Sequence, residues 1–79
     1  MVYKTKGTCS SQISFDLVDV KVHTVVFTGG CNGNLKGIGM LVEGQDASEV
    51  ITRLEGIRCG FKSTSCPDQL AQALKQALN

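Results

Sequence analysis

The residues of this chain best suited to chemistry are its four cysteines, in a length of 79 residues. They are Cys9, Cys31, Cys59 and Cys66. Cysteine thiolates bind zinc and iron–sulfur clusters, and a pair of them can cycle between dithiol and disulfide. An even number of cysteines in a short secreted protein would instead suggest two disulfides.

The expected compartment decides between these chemistries. The N-terminus lacks the apolar stretch of a secretory signal, so we expect a cytoplasmic protein. Disulfides are rarely permanent in a reducing compartment, and the thiols are then expected to act as metal ligands or redox groups. The alternative is that they are small buried hydrophobic side chains.

Three of the cysteines fall at the predicted ends of helices or strands. Cys31 lies in a loop rich in Gly and Asn between a strand and a helix, Cys59 lies between two helices, and Cys66 directly precedes Pro67. A thiol at a helix N-terminus lies near the positive end of the helix dipole, which lowers its pKa. We therefore expect Cys66 to have the lowest pKa of the four.

The spacing of the cysteines leaves the type of site open. Six residues separate Cys59 from Cys66, a longer gap than the two-residue gap of zinc ribbons and thioredoxin-like motifs. Four thiolates would suit zinc or an iron–sulfur cluster, and three would leave an open position for exchange or transfer. Arg58 and Lys62 flank Cys59 in the sequence. They would favour its thiolate if their side chains turned inward; the alternative is that they are solvated surface charges with no such effect.

Other kinds of site have less support in the sequence. The loop of residues 29–34 could hold a phosphate on backbone amides, but it lacks the Gly-Lys-Ser/Thr ending of a P-loop. The single histidine, His23, is expected to be an ordinary strand side chain rather than a switch or ligand. The eight basic and seven acidic residues give a net charge of +1 and are scattered, so nucleic acid is not expected as the main partner. No apolar run approaches the length of about 18 residues that a membrane span needs.

Two strands, with a weaker third, are predicted before any helix. Alternating apolar and polar residues predict a half-buried strand at 12–18. Residues 21–28 are apolar on both faces and predict the more central strand. Residues 2–6 predict an edge strand.

Three helices are predicted after the strands. Apolar residues at helical spacing mark the first at 35–42, where Gly37 and Gly39 indicate close packing against another backbone. A capping box at 46–49 begins the second helix, and Pro67 begins the third.

This order of elements predicts the fold. Strands followed by helices imply a small antiparallel sheet of two to three strands with three helices packed on one face, which is an α+β fold. We expect a single domain over residues 1–79, because this length supports one hydrophobic core.

The string Thr64-Ser65-Cys66-Pro67-Asp68 is the one that names the TSCPD domain family, and the chain resembles standalone members of that family along nearly its whole length. Four further stretches support the resemblance, at residues 7–9, 29–37, 41–44 and 59–60. The family's domain also occurs at the C-terminus of many adenosylcobalamin-dependent ribonucleotide reductases. The resemblance implies an accessory role in ribonucleotide reduction, with a reductase or another protein as partner. A reductase of that class needs a large barrel, so we do not expect these 79 residues to reduce ribonucleotides alone.

The chain is also similar, more distantly, to iron–sulfur cluster assembly scaffolds of the IscU/NifU type. Three of its cysteines match those of the scaffolds in order and context: Cys31, Cys59 and Cys66. The scaffolds carry an acidic residue where this chain has Gly33 and a histidine where it has Ser65. The resemblance implies the same α+β architecture. The two departures, together with the extra Cys9, favour a closed site of four thiolates holding zinc or a stable cluster.

Three functional hypotheses follow. In the leading one, Cys31, Cys59 and Cys66, with Cys9 as a further ligand, hold zinc or an iron–sulfur cluster in a binding module linked to ribonucleotide reduction. In the second, Cys59 and Cys66 cycle as a dithiol and disulfide in a redox component associated with the reductase, which requires Cα atoms within about 7 Å. In the third, the cysteines are buried and structural, and a partner surface carries the function.

Overall fold

A computed structural model describes residues 1–8, 10–30 and 32–78; Cys9, Cys31, Asn79 and the side chain of Asn32 lie outside this description. Its elements, in chain order, are β1 (Val2–Lys4), β2 (Ser10–Val18), β3 (Lys21–Gly29), α1 (Asn32–Val42), α2 (Ala47–Leu54) and α3 (Cys66–Leu78). Both strand pairs are antiparallel. The α+β fold predicted from the sequence, with three strands followed by three helices, is confirmed.

The sheet order is β1-β2-β3, so β2 is the central strand and β3 lies at an edge. The prediction that β3 would be the more central strand is wrong. Its outer edge at Val22 is paired by the loop after α1, because the Val22 N–H donates to the Gln45 carbonyl at 2.9 Å and the Gly44 N–H donates to the Val22 carbonyl at 2.7 Å. One of its apolar side chains, Val26, is 52% exposed. An edge strand covered by a loop and a helix can therefore carry the apolar pattern of a central strand.

One hydrophobic core joins the inner face of the sheet to the three helices. Its members are Ile13, Phe15, Val22, Val42, Ala47, Val50, Leu70, Ala73 and Leu74. Ile13 of the central strand and Leu70 and Leu74 of α3 are completely inaccessible to solvent. Truncating any of these three to Ala would cost about 2–5 kcal/mol. The helices thus pack on one face of the sheet, as the order of elements predicts.

The second helix begins at the predicted N-cap. The Asp46 side chain accepts a hydrogen bond of 2.9 Å from the Ser48 N–H, which satisfies one of the amides that a helix start leaves unpaired. The Glu49 carboxylate lies 3.3 Å from Arg53, one turn further along the exposed side of the helix. The capping box therefore acts through its aspartate, while its glutamate takes part in an exposed ion pair.

Of the two glycines of α1 that were predicted to pack closely, only one contacts a neighbouring backbone. A Cβ atom at Gly39 would lie 3.0 Å from the Val25 carbonyl oxygen, whereas one at Gly37 would have nothing within 4 Å. The prediction of close packing is confirmed for Gly39. Within this chain it is wrong for Gly37, which lies on the exposed side of the helix.

Strand β3 contains a bulge. Ser14 pairs with Val26 and Asp16 pairs with His23, so two residues of β3 lie opposite the single residue between Ser14 and Asp16. The first of the two, Thr24, has a φ of +55°, which is an outlier for a β-branched residue. Such strain persists only where the surroundings impose it.

Within the described part of the chain, no helix has both the length and the apolar character needed to cross a membrane.

Candidate functional site

The start of α3 is built around Ser65. Its hydroxyl accepts a hydrogen bond of 3.2 Å from the Asp68 N–H, and its carbonyl accepts one of 2.8 Å from the Gln69 N–H. Ser65 is therefore the N-cap and Cys66 is the first helical residue, in agreement with the prediction that Cys66 lies at a helix N-terminus. The Ser65 hydroxyl also donates to the Ile57 carbonyl at 2.6 Å. The cap thereby fixes the α2–α3 loop against the helix.

Asp68 is a buried carboxylate with several donors. It accepts hydrogen bonds from the Gly56 N–H at 2.8 Å, from the Thr64 hydroxyl and from the Gln72 amide at 3.4 Å. Burial by itself would raise the pKa of Asp68, but these hydrogen bonds outweigh it, together with a smaller attraction to Lys75, and hold the pKa below its ordinary value. Asp68 thus remains ionised at neutral pH and ties both ends of the loop to α3.

Gln69 links the N-terminal segment to the same network. Its amide oxygen accepts a hydrogen bond of 3.1 Å from the Lys6 N–H, and its amide nitrogen donates to the Thr64 hydroxyl at 3.0 Å. Gly7 follows Lys6 in the chain and has a φ of +73°. A Cβ atom at Gly7 would lie 3.3 Å from the Thr64 side chain. The chain before β2 therefore packs closely against the residues that begin α3.

Ser10 brings the start of β2 to Cys66. Its hydroxyl oxygen lies 3.1 Å from the Cys66 sulfur, and the two residues are only 2% and 6% exposed. Ser10 also pairs with Gly29, at the end of β3. The start of β2, the end of β3 and the start of α3 thus meet at one end of the domain.

Cys59 lies in the loop between α2 and α3. Its N–H donates to the Thr64 carbonyl at 3.2 Å, and its carbonyl accepts from the Lys62 N–H at 3.0 Å. Cys59 is exposed, and so are both neighbouring basic residues, Arg58 and Lys62. The structure therefore favours the interpretation of these two as solvated charges.

A family model described as the TSCPD domain matches residues 1–78. The chain belongs to the TSCPD domain family. Neither the curated proteins nor the solved structures contain a significant match to it. The predicted resemblance to this family is confirmed, and the more distant likeness to the IscU/NifU scaffolds stays a prediction.

The five residues that name the TSCPD domain form one local structure. Thr64 donates to the Asp68 carboxylate, Ser65 caps the helix, Cys66 is its first residue and Pro67 its second. Proline is well suited to a first helical turn because it has no N–H to leave unpaired. All of these positions except Pro67 are buried. Four of the five residues thus have a structural role in presenting Cys66.

The cysteines predicted as ligands divide into two groups. Cys59 and Cys66 are among the residues that the structure describes, whereas Cys9 and Cys31 are not. Among the described residues, no three His, Cys, Asp or Glu side chains are grouped closely enough to hold a metal. The predicted four-cysteine ligand set therefore stays a prediction.

The buried polar network was not predicted from the sequence. The side chains of Thr64, Asp68 and Gln69 are ordinary polar groups, and only the spacing from Ser65 to Asp68 carries a signal. A serine followed three residues later by an acidic residue is typical of a helix start. Neither the Gly56 N–H nor the Lys6 N–H, which lie far along the chain, could be identified as partners from that pattern.

A second polar contact missed by sequence reasoning lies beside the bulge. The Glu43 carboxylate accepts a hydrogen bond of 2.9 Å from the Thr24 N–H and lies 2.6 Å from Nδ1 of His23. The Thr24 hydrogen bond, with the His23 contact adding to it, lowers the pKa of Glu43. His23 thus has a hydrogen-bonding partner at the bulge, which gives it a local structural role.

Proposed function

We propose that this TSCPD domain is a binding module in which cysteine thiolates hold zinc or an iron–sulfur cluster, and that it serves as an accessory component of ribonucleotide reduction. Cys66 is the central ligand of the proposal. Cys9, Cys31 and Cys59 are the further ligands.

The observation that carries the proposal is the meeting of three chain segments at Cys66. Ser10, which lies 3.1 Å from the Cys66 sulfur, follows Cys9 directly in the sequence. Its strand partner Gly29 precedes Cys31 by two residues. Ser10 and Gly29, which lie close to Cys9 and Cys31 in the sequence, are therefore found at the same end of the domain as the buried Cys66.

The donor chemistry fits such a group. Thiolates are the preferred ligands of structural zinc and of iron–sulfur clusters. Cys66 is the first residue of α3, which places this ligand at a helix N-terminus. The Cys59 N–H donates to the Thr64 carbonyl, which holds the loop of Cys59 next to the start of α3. A bound metal would add stability to a chain of only 79 residues.

The chemistry that the group supplies depends on its identity. Zinc would cross-link the chain, and an iron–sulfur cluster would also carry electrons. The residues of the network around Cys66 have a positioning role, because Asp68, Thr64 and Gln69 hydrogen-bond to one another or to the backbone of distant segments. The link to ribonucleotide reduction rests on the family alone.

The metal hypothesis is tested by anaerobic purification without chelator. Zinc, iron and acid-labile sulfide are measured per chain, beside an absorption spectrum, in the wild type and in four variants that replace one thiol by a hydroxyl: Cys9→Ser, Cys31→Ser, Cys59→Ser and Cys66→Ser. Ser63→Ala, an exposed position in the loop of Cys59, is the matched control. We expect a stoichiometric metal that is retained in the control and lost or weakened in the ligand variants.

Wild-type protein that contains no metal and in which all four thiols react with a thiol reagent would overturn the metal hypothesis. A reversible disulfide between Cys59 and Cys66 in that protein would favour the redox alternative. The accessory role is tested separately, by titrating the domain against the ribonucleotide reductase of the same organism. It fails if neither binding nor an effect on reductase activity is found.

A further inference from the structure

Helix α1 is apolar on the side that faces away from the core. Leu35 and Val42 are buried against the rest of the domain, while Met40 and Leu41 are 71% and 79% exposed. Lys36 is the only charged residue in the helix. Large apolar side chains that lie side by side on the exposed face of a helix normally mark a surface that a partner covers. The exposed side of α1 is therefore an unpartnered surface.

The centre of this surface is close to the helix backbone. Gly33 and Gly37 lie one turn apart and share a side of the helix with Met40. A Cβ atom at either glycine would have nothing within 4 Å. Glycine lowers helix stability relative to alanine, and nothing in the described part of this chain requires it at these positions. We define the α1 outer face as Gly33, Gly37, Met40 and Leu41.

The charges beside the α1 outer face would complement the same charges on a second copy of the chain. Lys36 and Glu43, the residue that follows α1, line the same groove beside this face together with Met40. At about 1.5 Å per residue they are roughly 10 Å apart along the helix axis, with Met40 near the midpoint. If a second copy packs antiparallel about a two-fold axis near Met40, each Lys36 faces a Glu43 of the other copy. Lys36 makes no ion pair within the residues that the structure describes, and the Glu43 side chain is 44% exposed despite its contact with His23. This arrangement singles out a second copy as the occupant.

The surface continues into a groove between α1 and β3. The groove has a volume of about 600 Å³, and Val26, Lys36, Met40 and Glu43 are among the residues that line it. Val26 is 52% exposed there. The groove gives an apolar side chain of a facing helix a place to pack.

We propose that two copies of this chain associate through the α1 outer face as an antiparallel pair, with Lys36 of each copy beside Glu43 of the other. Burial of Met40 and Leu41 supplies the apolar part of the association. Gly37 allows the two helix backbones to approach each other, and the paired charges fix the antiparallel direction. The association does not depend on a bound metal.

The test is sedimentation velocity of the full chain from low micromolar to submillimolar concentration. A reductant is present, because exposed Cys59 could otherwise cross-link two chains. We expect a concentration-dependent dimer whose dissociation constant rises about tenfold or more in Met40→Lys, in Lys36→Glu and in Gly37→Ala. It should also rise with salt concentration, because screening weakens the two ion pairs.

Gln76→Lys is the matched control, because it places the same new charge at an exposed position of α3. Circular dichroism checks that each variant is folded. The proposal is overturned by a wild type that is monomeric over the whole range, or by a dimer that forms equally well in Met40→Lys and Gly37→Ala. Repeating the series after chelation separates this result from the metal hypothesis, since the dimer should persist without metal.

Discussion

The hydroxyl oxygen of Ser10 lies 3.1 Å from the sulfur of Cys66, so the first residue of β2 contacts the first residue of α3. Both residues are buried, whereas Cys59 is exposed in the α2–α3 loop. The two described thiols therefore differ in access to solvent. They should also differ in reactivity.

In chelator-treated protein we expect Cys59 to react with a maleimide much faster than Cys66. Modification of Cys66 requires local opening at the start of α3, and a buried thiol reacts only from the open state. Peptide mapping by mass spectrometry over a time course gives both rates, and the same labelling in strong denaturant serves as the control. Equal rates under native conditions would contradict the burial of Cys66.

Thr64→Val should destabilise the domain by about 1–3 kcal/mol at neutral pH, because it removes a donor to the buried Asp68 carboxylate without changing the side chain's shape. The matched control is Thr52→Val on the exposed side of α2, where the hydroxyl donates only to the Ser48 carbonyl at 3.0 Å. Urea unfolding measures both changes. Equal effects of the two substitutions would show that the Asp68 network adds no stability.

Asp68 should make stability depend on pH in the acid range. Burial opposes ionisation of Asp68, but the hydrogen bonds from Thr64, Gly56 and Gln72 outweigh this effect and lower its folded-state pKa. A carboxyl with a lowered pKa contributes stability that is fully present above its unfolded pKa of about 3.9 and is lost as the pH falls through the folded value. Urea unfolding at a series of pH values should show this loss in the wild type. It should be smaller in Asp68→Asn, and an identical pH profile there would exclude Asp68 as its source.

Thr24→Gly should stabilise the domain by up to about 1 kcal/mol, because the relief of strain exceeds the cost of the added backbone freedom. Thr24 has a φ of +55° at the bulge of β3, a conformation that costs an L-residue roughly 1–2 kcal/mol and costs glycine little. Thr28→Gly in the same strand is the control and should destabilise by about 0.5–1 kcal/mol, because it adds backbone freedom without relieving strain. Thermal unfolding compares the two, and a loss of stability in both variants would refute strain at Thr24.

Two glycines of α1 should respond to alanine in opposite directions. Gly39→Ala should destabilise by about 1–3 kcal/mol, because its Cβ atom would lie 3.0 Å from the Val25 carbonyl oxygen. Gly37→Ala should stabilise the monomer by up to about 1 kcal/mol, because its Cβ atom meets nothing within 4 Å and alanine favours the helix. Urea unfolding at a concentration where the monomer predominates measures both. The same sign for the two variants would contradict the packing of α1 on β3.

Much of the architecture could be predicted because local patterns specify it. The alternation of apolar residues around Ile13 identified β2, Asp46 identified the start of α2, and Pro67 marked the first turn of α3. Each of these signals acts over a few residues and needs no distant partner. The family could also be predicted, since its motif lies in one continuous string.

The rest depended on partners far apart in the chain. The pattern of β3 indicated a central strand, but β3 is an edge strand because only β2 pairs with it in the sheet. The loop after α1 covers its outer edge at Val22. Thr24 gave no sign of a bulge, because the Glu43 carboxylate that accepts its N–H lies 19 residues away. Gly37 and Gly39 look alike in the sequence, and only the position of β3 distinguishes them.

The order of strands and helices, the start of each of the last two helices and membership of the TSCPD family could all be read from the amino-acid sequence, because periodicity, capping and motif operate between near neighbours. The contact of Ser10 with Cys66 and the hydrogen bond from the Gly56 N–H to Asp68 are visible only in the folded chain. A buried polar group needs a partner. Which partner it has depends on how the sheet and the helices pack, and no local pattern in the sequence contains that information.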